Sequence, residues 1–258
     1  MNKSKIPQVL MYHGVVSSEA AIPPDREAGA ELYDLDVQKF QEQMQFIRDR
    51  GRRVVTLEEE ESLGGQDIVM TFDDGEMNNF QKAFPILRAF NFPAYFFVTV
   101  SRVGKKGYMG WEELMELRDA GMLIGSHGLD HEILTNLTAK KVQRELVESK
   151  AALERHLKVN VEYFSVPRGF YNQTVMEIAA AAGYKKIFIS QPQGSLGANC
   201  LARIAVKGDW SLRRFEMALE GKTPPEEALF NSSKSIIKNI IGGSGYDRLR
   251  TLLLKKRQ

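Results

Sequence analysis

The chain has 258 residues with 35 basic and 33 acidic side chains, and its formal net charge of +2 gives no basis for a nucleic-acid partner. Its hydrophobic content of 43% and charged content of 26% are those of an ordinary globular protein, long enough for one sizeable α/β domain. The single cysteine, Cys200, excludes an intrachain disulfide and favours a reducing compartment.

The N-terminal residues do not resemble a secretory signal. Two lysines are followed by only a short apolar run before His13, whereas a signal needs roughly 7 to 15 apolar residues and a small-residue cleavage site. No other run approaches the roughly 20 apolar residues of a membrane span. We therefore expect a cytoplasmic protein, with the inner face of the membrane as an alternative location.

Strands and helices are predicted to alternate along the chain. Apolar and β-branched runs predict eight strands, at residues 9–14, 53–57, 66–76, 93–100, 122–127, 161–166, 185–190 and 201–206. A long polar loop with two prolines separates the first two, at residues 17–34. Apolar residues at helical spacing predict helices at residues 36–51, 78–90, 111–120, 138–157, 173–182 and 212–219.

This alternation is typical of a parallel sheet covered by helices on its outside. We predict an α/β fold, a distorted (β/α) barrel of seven to eight strands, over residues 1–222. Residues 223–258 combine isoleucine and leucine clusters with basic ends, and they are predicted to form a helical tail. The tail is expected to pack on the barrel, and the alternative is peripheral contact with an anionic membrane surface.

Two polar groups of residues indicate a metal site. Asp73 and Asp74 end an apolar strand, where two adjacent negative charges are costly unless a cation or hydrogen-bond donors compensate them. His127 and His131 follow another strand, and their spacing suits two ligands of one divalent ion. A carboxylate with two imidazoles would leave a position for water and suits Zn²⁺ or a similar ion. The alternatives are a surface Asp-Asp-Gly turn and a polar turn with two satisfied histidines.

The candidate catalytic and metal-binding side chains all lie at the ends of predicted strands. His13, the Asp73 and Asp74 pair, His127 and Arg168 each lie at the exit of a different strand or in the loop just after it. In (β/α) barrels, catalytic groups occupy the carboxyl ends of the strands. The sequence therefore predicts that these residues meet at one rim.

Three motifs in order resemble those of the NodB-like polysaccharide deacetylases, carbohydrate esterase family 4. They are Thr-Phe-Asp-Asp-Gly at 71–75, Ser-His-Gly-Leu-Asp-His at 126–131 and Phe-Ser-Val-Pro-Arg-Gly at 164–169. The similarity extends over roughly residues 9 to 207, so it is more specific than one short pattern. The early Met-Tyr-His at 11–13 resembles the subgroup that includes biofilm poly-N-acetylglucosamine deacetylases.

The resemblance implies a hydrolase that removes N-acetyl groups from an amino sugar of a cell-surface polysaccharide, lipopolysaccharide or precursor. Its metal would be Zn²⁺, with Ni²⁺ or Co²⁺ as alternatives. An N-acetylated sugar or oligosaccharide is then the expected partner. The implied roles are metal ligation by Asp74, His127 and His131, base catalysis by Asp73, acid catalysis by His13, oxyanion stabilisation by the Arg168 N–H, and substrate binding by Pro167, Gly169 and Tyr171.

The chain also departs from the family pattern. Ser165 stands where the third motif has arginine, and Arg168 stands where an aromatic residue is more typical. No histidine follows His156, so the late Leu-x-His motif is missing, and Gly-Asp-Trp at 208–210 is expected to begin a helix. Two alternatives follow: a catalytically silent sugar-binding barrel, or a deacylase for another acyl group such as formyl.

Overall fold

The structure is a computed structural model that describes residues 6–17, 22–58, 63–190 and 199–222. In these ranges the strands are β1 (Gln8–Tyr12), β2 (Val15–Val16), β3 (Leu35–Asp36), β4 (Ile68–Phe72), β5 (Tyr95–Val98), β6 (Leu123–Ser126), β7 (Tyr163–Ser165), β8 (Lys186–Ile189), β9 (Cys200–Ala202) and β10 (Ile204–Ala205). The α-helices are α1 (Val37–Asp49), α2 (Phe84–Phe90), α3 (Trp111–Asp119), α4 (Ala139–Leu157), α5 (Gln173–Ala181) and α6 (Leu212–Leu219).

The main sheet is an almost closed parallel barrel. Its eight strands lie in the order β10-β1-β4-β5-β6-β7-β8-β9, and every neighbouring pair is parallel. β9 and β10 follow each other directly in the chain, with only Arg203 between them. Because β9 pairs with β8 and β10 pairs with β1, this segment connects the two edges of the sheet. The predicted (β/α) barrel is confirmed.

Two predicted strands differ from the observed ones. Residues 53–57 provide one parallel bridge, from Val54 to Ile68, in place of a full strand. β5 pairs with β4 only from Thr71 onward, so the start of β4 is free for this short contact. The predicted strand 201–206 is divided in two, because its backbone changes partner from β8 to β1 at Arg203.

Alternation along the strands divides the core into two clusters. In β4, Met70 and Phe72 face the surrounding helices and join the larger cluster. Val69 belongs to a smaller cluster inside the barrel, whose buried members are Val9, Val55, Leu57, Val69, Tyr95, Phe97, Tyr163, Phe188 and Leu201. The same alternation directs Thr71 and Asp73 toward the barrel interior, so a carboxylate lies at the upper end of a packed core.

The predicted tail at 223–258 lies outside the described residues, so both its helix and its membrane contact stay predictions. Within the described ranges, none of the helices combines the length and the apolar character needed to cross a membrane.

Gly125 lies in a tightly packed part of the barrel. A Cβ at this position would lie 2.4 Å from Phe97 Cε1 and 3.0 Å from the Tyr163 carbonyl oxygen. We predict that Gly125→Ala lowers the free energy of unfolding by about 1–3 kcal/mol, since a packed core tolerates extra volume poorly. Urea denaturation measures the change. Gly64→Ala is the control, because its nearest neighbour would be 3.7 Å away, and equal losses in both variants would contradict the prediction.

Candidate active site

The carboxyl ends of the strands bring the predicted site residues to one rim of the barrel. Tyr12 and Phe72 are paired across β1 and β4, and the Asp73 N–H donates to the Tyr12 carbonyl at 3.1 Å. His13 therefore follows β1 beside the carboxylates that follow β4. The His127 N–H donates to the Val98 carbonyl at 2.8 Å, which fixes the exit of β6 against β5.

A turn after β4 lets both carboxylates reach the same space. Successive strand residues point to opposite faces, so a straight strand would separate Asp73 from Asp74. The backbone instead enters the left-handed region at Asp74, with a φ of 75°, and continues at Gly75, with a φ of 78°. Asp74 thus begins the turn and Gly75 completes it. Non-glycine residues in this conformation cluster at functional sites.

Asp74, His127 and His131 form a compact three-residue cluster. Asp74 Oδ1 lies 3.1 Å from His131 Nε2 and 3.8 Å from His127 Nε2. One ligand atom from each residue lies within 4.8 Å of the others. These nitrogen and oxygen donors are the ligands that zinc takes in proteins, in the number that a catalytic site uses.

The two imidazoles are oriented by their other nitrogen atoms. His127 Nδ1–H donates to the Ser165 carbonyl at 2.8 Å, which leaves Nε2 as the lone-pair atom toward Asp74. His131 Nδ1 lies 2.5 Å from Glu27 Oε1, so its Nε2 also faces Asp74. Partners of this kind, a carbonyl and a carboxylate, are typical behind metal-binding histidines. The donor set therefore fits a divalent ion.

The pKa values of the two histidines are shifted in opposite directions. Burial lowers the pKa of His127 to about 4, although the nearby carboxylates oppose it. Burial also lowers the pKa of His131, but the charge and hydrogen bond of Asp74, together with Glu27, raise it to about 9. Burial raises the pKa of Asp74, and the two histidines more than reverse this, so its net shift is well downward. Without metal, His131 is the protonated partner of Asp74 and Glu27.

Two positively charged side chains that the sequence did not single out lie against this cluster or behind it. Arg102, just after β5, donates from Nη1 to Asp74 Oδ1 at 3.0 Å and from Nη2 to Glu27 Oε1 at 3.2 Å. Arg203 donates to both oxygens of Asp73, at 2.7 Å each. Burial raises the pKa of Asp73, but Arg203 and His127 reverse this and the net shift is downward. Asp73 is therefore an ionised carboxylate fixed at its inner side.

His13 lies near both carboxylates. Its ring contributes to lowering the pKa of Asp73 and of Asp74, after the larger effects of burial and of the nearer cations. It is half-buried, and its ring packs against Tyr33 with centroids 5.0 Å apart. Its Nδ1 is buried and has no hydrogen-bond partner among the described residues. The structure thus places the early histidine beside the site.

The third motif forms a tight turn at the same rim. Arg168 has a φ of 60°, and Gly169 has a φ of 70°. Arg168 Nη1 lies 3.6 Å from Glu27 Oε2, so its guanidinium faces the cluster and is not a free surface group. Pro167 packs near Gly128 of the second motif, while Tyr171 is half-buried against the larger core cluster.

Glu145 of α4 holds the loop that contains the two histidines. Its Oε2 accepts the N–H groups of Leu129 and Asp130, both at 2.9 Å, and its exposure is only 4%. None of the sequence motifs contains Glu145, although it lies on the buried face of α4 with Val142 and Leu146. A charged residue at a core position of an amphipathic helix is the signal that could have identified it.

We predict that Glu145→Leu lowers the free energy of unfolding of the metal-free protein by about 1–3 kcal/mol, because two buried N–H groups lose their acceptor. Glu145→Gln keeps an acceptor oxygen and should lose clearly less. Urea denaturation of the three proteins measures the difference. Equal stability of the leucine and glutamine variants would show that the two N–H bonds contribute nothing.

Several known proteins are similar to this chain in sequence or in fold. The sequence profile of the family described as Polysaccharide deacetylase matches residues 60–187. The Bacillus subtilis protein YxkH is 28% identical over 196 residues, which cover 73% of this chain and 66% of YxkH. A Bacillus cereus protein named peptidoglycan-N-acetylglucosamine deacetylase is 29% identical over 127 residues, covering 49% of this chain and 57% of that protein. The chain thus spans less than two thirds of each of these relatives.

Structural similarity agrees with the profile. The structure of Streptococcus pyogenes deacetylase PplD in complex with acetate superposes with a TM-score of 0.73 and 24% identity, covering 86% of this chain and 100% of that one. At this identity the likeness concerns the fold. Together with the matching profile, it shows that the chain is similar in sequence and fold to the polysaccharide deacetylases.

Proposed function

We propose that this chain is a metal-dependent hydrolase that removes N-acetyl groups from an amino sugar of a cell-surface polysaccharide, lipopolysaccharide or precursor. The observation that supports it best is the meeting of Asp74, His127 and His131 beside a second, ionised carboxylate, Asp73. The name of the Bacillus cereus relative is consistent with this substrate class.

The proposed cofactor is Zn²⁺, with Ni²⁺ or Co²⁺ as alternatives, held by Asp74, His127 and His131. Such an ion, when bound, lowers the pKa of water toward ~7 and polarises a carbonyl group. Glu27 and the Ser165 carbonyl keep the two imidazoles turned toward Asp74.

Each step of the hydrolysis is assigned to a residue of the chain. Asp73 takes a proton from the attacking water, whose oxygen bonds to the carbonyl carbon of the N-acetyl group. Arg203 occupies one side of the Asp73 carboxylate, which leaves further lone pairs for this proton. The Arg168 N–H donates to the carbonyl oxygen as negative charge develops there. His13 protonates the departing nitrogen as the carbon–nitrogen bond breaks, which gives acetate and a free amine.

Acetate release tests this function. The protein is treated with a chelator, reloaded with Zn²⁺, Ni²⁺ or Co²⁺, and incubated with β-1,6- and β-1,4-linked N-acetylglucosamine oligomers and with peptidoglycan fragments. We expect acetate only from the metal-loaded protein. A silent sugar-binding barrel would release none, and faster release of formate from N-formylated oligomers would show a different acyl specificity.

We propose the same subgroup and location that the sequence predicts. The Met-Tyr-His at 11–13 supports membership of the poly-N-acetylglucosamine subgroup, which predicts a preference for the β-1,6-linked oligomer. A cytoplasmic location, and contact of residues 223–258 with the membrane, are predictions from sequence alone. Cell fractionation with and without residues 223–258 checks both.

The charge of His131 predicts how metal binding depends on pH. Since its pKa in the metal-free protein is about 9, His131 is protonated at neutral pH and must lose that proton to bind an ion. His127, with a pKa of about 4, adds no further competition in this range. Zn²⁺ affinity should therefore rise at least about a hundredfold from pH 6 to pH 8, with one proton released from His131 for each ion bound. Titration calorimetry in several buffers measures both, and a flat affinity would contradict the prediction.

A further inference from the structure

Arg203 is buried completely although it is charged. It separates β9 from β10, and its side chain has 0% exposure. The strand alternation that places Leu201 in the barrel interior directs Arg203 the same way. A guanidinium taken out of water requires an anion and further hydrogen bonds in compensation. None of the sequence motifs contains Arg203.

The guanidinium meets those requirements with one acid and two hydroxyl groups. Nη1 and Nη2 donate to the two oxygens of Asp73 at 2.7 Å each, a bidentate pair. Nη2 also donates to Ser165 Oγ at 2.8 Å, and Nη1 to Thr71 Oγ1 at 3.2 Å. The Ser165 hydroxyl in turn donates to Asp73 Oδ2 at 3.2 Å. The plane of the Asp73 carboxylate is thus fixed from two strands.

The contact with Ser165 connects this pair to the unusual third motif. Position 165 is where the family motif has an arginine, and here its side chain is a small hydroxyl at 0% exposure. The end of the Arg203 side chain lies within hydrogen-bond distance of that hydroxyl. A positive charge is therefore present beside position 165, although it is supplied by the residue between β9 and β10.

We propose that Arg203 is the positioning residue for Asp73, supplying from the junction of β9 and β10 the cation that position 165 lacks in this chain. The proposal rests on the proposed function, in which Asp73 receives the proton of the attacking water. Arg203 holds the carboxylate so that its remaining lone pairs face the cluster, where Asp73 Oδ2 lies 3.9 Å from His127 Nε2. Ser165 in the third motif then reflects a positive charge that has moved to Arg203, and it is not a sign of lost activity.

If Arg203 had a purely structural role, its variants would behave differently. Arg203 also sits where the sheet closes, so its loss could affect only the pairing of β9 and β10 with their neighbours. In that case variants would lose stability, while the folded fraction would turn over substrate at the normal rate. A positioning role instead lowers kcat in protein that is folded and holds metal.

Four variants separate the two roles. Arg203→Lys keeps the charge but not the two-pronged geometry, and Arg203→Ser removes both. The double variant Ser165→Arg with Arg203→Ser moves the guanidinium to position 165. Arg144→Ser, whose side chain is 58% exposed, is the matched control. Acetate release gives kcat and KM, while urea denaturation and metal content are measured on the same samples.

We expect Arg203→Lys to fold, to retain metal, and to lose about a hundredfold in kcat with KM within about twofold, because a misplaced catalytic group costs about that much. The double variant should recover at least about a tenth of the wild-type kcat. Wild-type kcat in Arg203→Lys would overturn the proposal. If the single variants do not fold, a double variant that regains stability but not kcat overturns it too.

Crystal structures of the variants test the positioning role of Arg203 separately from the proposed function. If the wild-type protein releases no acetate, the proposed function fails, and the position of Asp73 in Arg203→Ser or Arg203→Lys still decides the assignment. A carboxylate rotated away from its wild-type plane supports the positioning role. An Asp73 carboxylate that stays in place without the guanidinium contradicts it.

Discussion

Asp73→Asn is expected to lose hydrolysis while the protein still binds metal. Asparagine keeps the shape of the side chain but cannot accept the proton of the attacking water, and loss of a general base costs about 10²–10⁴-fold in rate. Asp73 Oδ2 is 3.9 Å from the nearer imidazole and lies outside the three-residue cluster, so metal content should stay near one ion per chain. Acetate release and metal analysis of the same sample measure both quantities.

The variant is also expected to be less stable than the wild type. The experiment therefore has to separate loss of folded protein from loss of catalytic rate. Asparagine leaves the buried Arg203 without its anion, and breaking a buried pair costs about 3–5 kcal/mol. Assays therefore need a temperature at which circular dichroism shows the variant folded. Asp130→Asn is the control, since this carboxylate is 41% exposed and near the site. Turnover by folded Asp73→Asn within tenfold of wild type would remove Asp73 as the base.

Asp74→Asn is expected to have the opposite pattern, with metal affinity lost first. The variant replaces an anionic ligand with a neutral amide oxygen, while the two imidazoles stay supported by Glu27 and the Ser165 carbonyl. Loss of an outer partner already costs about 10–100-fold in affinity, so a lost ligand charge should cost more than a hundredfold. Calorimetric titration with Zn²⁺ measures the affinity, and activity should return only in part at high metal concentration.

The two neighbouring carboxylates are thus predicted to separate metal binding from catalysis. Asp74→Asn that binds Zn²⁺ as tightly as wild type would show that the ligand set is wrong. Loss of metal from folded Asp73→Asn would show that the roles of the two residues are exchanged. Either result would leave the fold unchanged, because the fold does not depend on these roles.

The sequence predicted the barrel because strand and helix patterns alternate strongly along the chain. It placed a full strand at 53–57, where β-branched residues are present but only Val54 has a free neighbour to pair with. It also predicted an unbroken strand at 201–206, whereas the backbone changes partners at Arg203. Both differences depend on where distant strands begin to pair, which local patterns do not contain.

The candidate site was predicted as far as it follows short motifs. His13, Asp73, Asp74, His127 and Arg168 follow strand ends, and parallel strands bring such ends together. Four partners had no such signal and were missed: Glu27, Arg102, Glu145 and Arg203. They lie in a loop, after a strand, on a helix and between the last two strands, and their contacts in the structure are what connect them to the site.

An anomalous-scattering map of crystals grown with zinc tests the central claim most directly. We predict one peak about 2.0–2.2 Å from Asp74 Oδ1, His127 Nε2 and His131 Nε2, with His13 across the cleft from it. Absence of a peak at these three atoms in a well-ordered crystal, or a peak held by other residues, would contradict a metal-dependent deacetylase at this rim of the barrel.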